Sequence, residues 1–135
     1  MKKIEIVKQR LHETNASLVV MFGNGEIKEF YNKRVHDIVS LLKENKDSLK
    51  GAVVADKVIG KVAASLLTVA GVKEIYANTI SEFAISVLEQ NDIKYEYKNR
   101  AEYIINNDKT GMCPMENKFK EENDLNVIYN WFLKN

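Results

Sequence analysis

One cysteine in 135 residues excludes an internal disulfide and suits a reducing cytoplasm. One proline, Pro114, and no Pro-, Gly- or Ser-rich stretch leave nothing that reads as a linker, so residues 1–135 are taken as one domain. The two histidines, His12 and His36, fall in segments read as helices ahead of the sheet core, a poor place for metal ligands or for activating a serine. No apolar run approaches the roughly 20 residues a membrane-spanning helix needs. The N-terminus, MKKIEIVKQR, is basic but has no apolar core or small-residue cleavage site, so no secretory signal is read there. Net charge is also scarce: 20 basic against 19 acidic residues give +1, which sets up no field toward nucleic acid or an anionic membrane. The expectation is a cytoplasmic protein with neither partner.

What the chain does have is a balance of 45% hydrophobic and 29% charged residues, usual for a globular domain. Its organising stretch is 51–72, GAVVADKVIGKVAASLLTVAGV. The run Ala52-Val53-Val54-Ala55 reads as a strand covered on both faces, ending near Asp56 and Lys57. From Val58 onward the apolar positions Val58, Ile59, Val62, Ala63, Leu66, Leu67 and Ala70 recur at helical spacing, with Lys61 the sole charge. So uncharged a helix is expected to be buried nearly all round, against the middle of a sheet.

Around this stretch the pattern alternates. Ile4, Val7 and Leu11 give an amphipathic helix over 2–13, although residues 4–7 also read as a strand. Strands at 17–22 and 26–31 flank Gly23-Asn24-Gly25, where Asn-Gly favours the positive φ of a tight hairpin turn. Val35, Ile38, Val39 and Leu42 place a helix over 33–46, with Asp37, Lys43 and Glu44 on its solvated side. A strand at 74–77 leads to Thr79-Ile80-Ser81-Glu82, a capping-box pattern opening another helix, and 93–97 alternates as an exposed edge strand. The last third reads as a short apolar segment at 103–105, a polar loop at 106–111, a charged helix over 116–122 and a final helix capped by Asn123. The sum is a three-layer α/β/α domain with a mixed five-stranded sheet, parallel except for the leading hairpin.

A hairpin followed by β-α-β-α-β resembles the cytidine-deaminase-like fold. Asp56-Lys57, Gly60-Lys61 with Ala63-Ala64, Ser81, and Cys113-Pro114 with Glu116 are similar to a small family within that superfamily, known as a domain of unknown function. The likeness extends from about residue 17 to 116. Zinc deaminases carry a His or Cys and a catalytic Glu at the start of the central helix, and a Pro-Cys-x-x-Cys on a later one. Here that helix offers Lys57, Gly60 and Lys61, and the later site has one cysteine with Glu116 three residues on. The expectation is a deaminase-like scaffold with no zinc site, no cofactor and no ordinary deamination.

In open α/β sheets ligands gather beyond the carboxyl ends of parallel strands, where helix N-termini converge. Asp56, Lys57, Gly60 and Lys61 are read at that edge: Gly60 allows a close backbone approach, and Lys61 attracts an anion. Alternatively Asp56 caps the helix, Gly60 makes room for packing and Lys61 reaches solvent. Cys113 before Pro114 puts a sulfur at a helix N-terminus, where a thiol pKa can fall and the thiolate act as nucleophile with Lys61 as its partner; it also reads as a small buried apolar group. Glu116 is read as a proton acceptor or as orienting Lys61, and Ser81 as binding or capping. Two function classes follow. One is a pocket for a nucleotide-like or otherwise anionic metabolite, with Asp56, Lys57, Gly60, Ser81 and Glu116 binding and Cys113 and Lys61 catalytic. The other is a non-enzymatic interaction module, such as a homodimer, with a degenerate site. A metal site of Asp56, Cys113 and Glu116 is the residual third.

Overall fold

A computed structural model describes residues 1–33, 35–106 and 109–134. Burial of Ile4, Val7 and Leu11 along one stripe makes the first segment a helix, α1 (Lys3–Glu13), and ends the strand alternative for residues 4–7. The hairpin follows as β1 (Leu18–Met21) and β2 (Ile27–Phe30), paired antiparallel. Its turn differs from the expected one. The Phe22 amide donates to the Glu26 carbonyl at 2.8 Å, which leaves the three-residue loop Gly23-Asn24-Gly25, and of these only Gly25 has positive φ, at 93°. Asn24 contributes through its side chain, whose Oδ1 accepts from the Glu26 amide at 2.9 Å.

Next come α2 (His36–Glu44), β3 (Val53–Ile59), α3 (Lys61–Ala70), β4 (Glu74–Ser81), α4 (Glu82–Gln90), β5 (Lys94–Ala101), α5 (Pro114–Phe119) and α6 (Leu125–Lys134). The strands lie in the order β2-β1-β3-β4-β5, with β1 antiparallel to both neighbours and β3, β4 and β5 parallel. This is the mixed five-stranded α/β sheet that the alternation implies, with β5 at an edge. α1 packs on β1, β3 and β4, and its core holds Val19, Val53, Ala55 and Tyr76. The larger core lies on the other face, beneath α2, α3, α4 and α6, and includes Val54, Ile59, Leu66, Ile75, Ile80, Leu88 and Ile128. Eight of the ten residues of α3 are buried, as its lack of charge demands.

The element ends differ from the local signals. β3 continues through Val58 and Ile59, which pair with Thr79 and Ile80 of β4, so α3 starts at Lys61 with Gly60 as N-cap. Asp56 is therefore a strand residue, paired with Leu18 and Ala77, and does not cap a helix. Thr79 is likewise in the sheet. The cap of α4 is Ser81, whose Oγ accepts from the Ala84 amide at 3.1 Å. Strand pairing on both sides outweighs the capping pattern there, because β-branched Thr79 and Ile80 suit a strand equally well. β5 extends to Ala101 through its pairing with Ser81. α2 is shorter than 33–46, and α5 begins at Pro114 instead of 116. The cap of α6 is Asp124 and not Asn123, its Oδ1 accepting from the Asn126 amide at 2.9 Å. Positions 34, 107, 108 and 135 of the expected elements lie outside the described residues.

Candidate functional site

The β3–α3 and β4–α4 junctions put two helix N-termini side by side at the carboxyl edge of the parallel strands. Glu116 joins them. It is 2% exposed, and its Oε1 accepts from the Lys61 amide at 2.9 Å and from the Ser81 hydroxyl at 2.5 Å. Its other oxygen accepts from the Ile104 amide. One carboxylate thus serves α3, α4 and the 102–113 segment, filling the role a capping side chain takes within a single helix. Gly60 makes this possible by its missing side chain, since a Cβ there would lie 3.0 Å from Ile104 Cγ1 and 3.1 Å from Glu116 Oε1. The group that closely approaches Gly60 is the protein's own carboxylate.

Lys61 holds the other end of α5. Its Nζ donates to the Lys120 carbonyl at 2.8 Å, although the side chain belongs to a residue only 6% exposed. Burial pulls this ammonium below its ordinary range, while Glu122, Glu116 and Glu121 hold it up. Lys61 also lies where two cavities meet. One, of about 320 Å³, is polar and lies between α4 and the α5–α6 junction, with Glu82, Glu102, Lys120 and Glu122 in its wall.

The second cavity, of about 350 Å³, is largely apolar. Val35, Val58, Ile104, Ile105 and Met115 are among its apolar lining, and Asp56, Lys57, Gly60, Lys61, Cys113 and Glu116 also border it. Six of the seven residues singled out from the sequence are therefore brought together. Ser81 is not in the wall and reaches it through Glu116. Lys57 is exposed, as is Lys33, which joins the lining at the mouth.

Asp56 is the distinctive group. It is 6% exposed, and desolvation raises its carboxyl pKa to about 7. The amides of Val58 and Lys57 pull the other way, and the Asp37 carboxylate adds to the rise. The Val58 amide bond to Oδ1 is long, at 3.3 Å. Asp37 itself corrects the sequence reading of a solvated face: it is 6% exposed and accepts from the Asn32 amide at 3.1 Å and the Asn32 side chain at 2.8 Å. Nothing in a helical repeat separates a carboxylate facing water from one bent back onto a preceding loop, so Asp37 was not visible as a site neighbour. Lys33, Val35, Val58 and the 104–105 pair were missed for a similar reason, since only the fold brings them to one wall.

Cys113 is buried and stands at the N-cap of α5 with Pro114 following, as the dipeptide implies. Its amide donates to the Ile104 carbonyl at 2.6 Å, closing the short pairing of Ile105 with Met112. Among the described residues no three His, Cys, Asp or Glu side chains converge to hold a metal ion. Both oxygens of Glu116 are already committed to N–H and O–H donors. No helix among the described residues is long and apolar enough to cross a membrane.

Comparison with known proteins adds the family. No curated protein matches. A crystal structure of a DUF1893 family protein, TM1506 from Thermotoga maritima, is similar with a TM-score of 0.87 and 25% identity, over 99% of this chain and 91% of that one. The sequence profile of the TM1506 family, a domain of unknown function (DUF1893), matches residues 6–134. Profile and fold agree over nearly the whole chain, which therefore belongs to the DUF1893 family.

Proposed function

We propose that the cavity beside Asp56 binds a small anionic, nucleotide-like metabolite, on a deaminase-like scaffold that has exchanged zinc ligands for the Glu116 tie. The observation that carries this reading is the cavity itself. It is a mostly apolar space of about 350 Å³ with exposed Lys33 and Lys57 at its mouth and a buried carboxyl inside. That volume falls at the small end of the roughly 300–1,000 Å³ typical of metabolite sites, and a few polar groups in an apolar lining is their usual composition. The scaffold reading is supported by the antiparallel hairpin strand beside three parallel ones and by the two helix N-termini at their carboxyl edge. In this reading Lys57 attracts the anion, and Cys113 forms wall. Lys61, with its ammonium on the Lys120 carbonyl, fixes α5.

A thermal-shift panel of nucleoside monophosphates and other phosphorylated metabolites tests it. A ligand at about 100 times its Kd stabilises the folded state by about 2.7 kcal/mol, an easily read rise in melting temperature. The expected result is a rise for one compound class that shrinks in Lys57→Ala, an exposed position whose loss leaves the fold intact. No rise for any compound at millimolar concentration would overturn the reading in favour of a non-enzymatic interaction module.

A further inference from the structure

Two buried carboxylates border the same cavity and are treated differently by the fold. Glu116 accepts from three donors that belong to α3, α4 and the 102–113 segment, so it is fully used in holding the structure together. Asp56 is also buried, yet among the described residues its carboxylate receives only strand amides, with the Val58 amide at 3.3 Å from Oδ1. No described lysine, arginine or histidine forms an ion pair with it. A buried acid held by strand amides and by no described cation is costly to ionise, and such carboxyls are often found at binding sites. Its neighbour Asp37 cannot help, because it is also acidic and its oxygens are engaged by Asn32. The inner end of the cavity therefore repels anions and accepts N–H donors, whereas the mouth, with Lys33 and Lys57, does the reverse.

We propose that the cavity is polar in a fixed sense: its inner end receives a nitrogen group of the ligand, an amine, an amidine or a ring amine, on the Asp56 carboxylate, and its mouth holds the anionic end. This rests on the reading of the cavity as a metabolite site and narrows it to nitrogen-bearing anionic compounds with a short apolar body. An amidinium or amino-heterocycle edge presents two N–H groups to the two carboxylate oxygens, the strongest pairing a carboxylate can make. The apolar walls then exclude water from that pair and raise its worth.

The probes are benzamidine and benzoate, which share an apolar ring and differ in the head group. Binding is followed by calorimetry at pH 6 and pH 8 on the full chain, wild type and Asp56→Asn. Among the described residues the titratable groups around Asp56 are Asp37 from α2, Lys33 before it, Lys57 from β3, Lys61 from α3, and Cys113 and Glu116 at α5. Because a cation prefers the ionised carboxyl, and Asp56 titrates at about 7, benzamidine is expected to bind about tenfold more tightly at pH 8 than at pH 6. Asp56→Asn should remove both the tighter binding and its pH dependence, and benzoate should bind less tightly than benzamidine at pH 8. A pH dependence that survives in Asp56→Asn belongs to another group and overturns the inference, as does benzoate binding as tightly as benzamidine. Should Asp56→Asn fail to fold, the wild-type pH profile and the benzamidine–benzoate order still decide. Phosphorylated compounds that bind in a Lys57-dependent way while benzamidine does not would overturn this inference alone. Absence of binding by every compound would overturn the metabolite reading with it.

Discussion

Replacing Asp56 by Asn should make the protein more stable at alkaline pH, an uncommon result for a buried polar residue. In the folded chain the carboxyl pKa stands at about 7 against an ordinary 3.8, so the folded state holds this proton more tightly than the unfolded one. A raised acid pKa means that the group costs nothing below pH 3.8, where it is protonated in both states. The cost grows as pH rises and levels off above about 7, where folding must bury the ionised form. At about 1.4 kcal/mol per pH unit, the gap of roughly three units amounts to about 4 kcal/mol at pH 8. Asn has nearly the same shape, never ionises, and keeps a side-chain oxygen for the Val58 amide. Urea unfolding at pH 4, 5.5 and 8 gives the comparison: nearly equal stabilities at pH 4, and an advantage for Asp56→Asn that opens toward about 4 kcal/mol at pH 8. A difference that stays flat with pH, or a variant less stable than wild type at pH 8, would refute the reasoning. A residue that weakens its own fold at neutral pH points to use, since stability is commonly given up at functional sites.

Other consequences concern the struts. Glu116→Ala leaves the Lys61 amide, the Ser81 hydroxyl and the Ile104 amide without their acceptor, at about 1–3 kcal/mol for each donor that stays buried; denaturant unfolding should register a total loss of about 3 kcal/mol or more. A loss below 1 kcal/mol would show that the tie is dispensable. Cys113, at 7% exposure, should react with iodoacetamide far more slowly in the folded protein than in urea, with the same native rate in Lys61→Ala if the two do not act as a pair. A native rate equal to that of a free thiol, lowered by Lys61→Ala, would restore Cys113 as nucleophile.

Much of the architecture was legible because it is written in periodicities. The apolar spacing of 58–70 and the near absence of charge gave a buried helix, and the alternation of short apolar runs with such helices gave parallel strands behind a hairpin. What local pattern could not give was where pairing stops. Val58 and Ile59 fit a helix or a strand, and only the presence of Thr79 and Ile80 opposite them decides for the strand. The site was legible in part. Gly60-Lys61 and Cys113-Pro114-Met115-Glu116 were recognisable as unusual, yet the bond that joins them spans 55 residues, and no local rule links a glutamate to a helix end that far back. The roles shifted accordingly. Glu116 and Lys61 turn out to be tied into backbone hydrogen bonds, and Asp56, read as a binding residue or a helix cap, is a strand residue at the edge of the cavity.

The claim on which the rest depends is that the space beside Asp56, and not the polar one beyond Lys61, takes the ligand. Nitrogen-15 chemical-shift mapping with the best phosphorylated compound from the thermal panel tests it most directly. The account predicts that the amides of Lys57, Val58, Ile105 and Met115 move together and saturably. Shifts confined to Glu82, Lys120 and Glu122, or no saturable shifts at all, would contradict it.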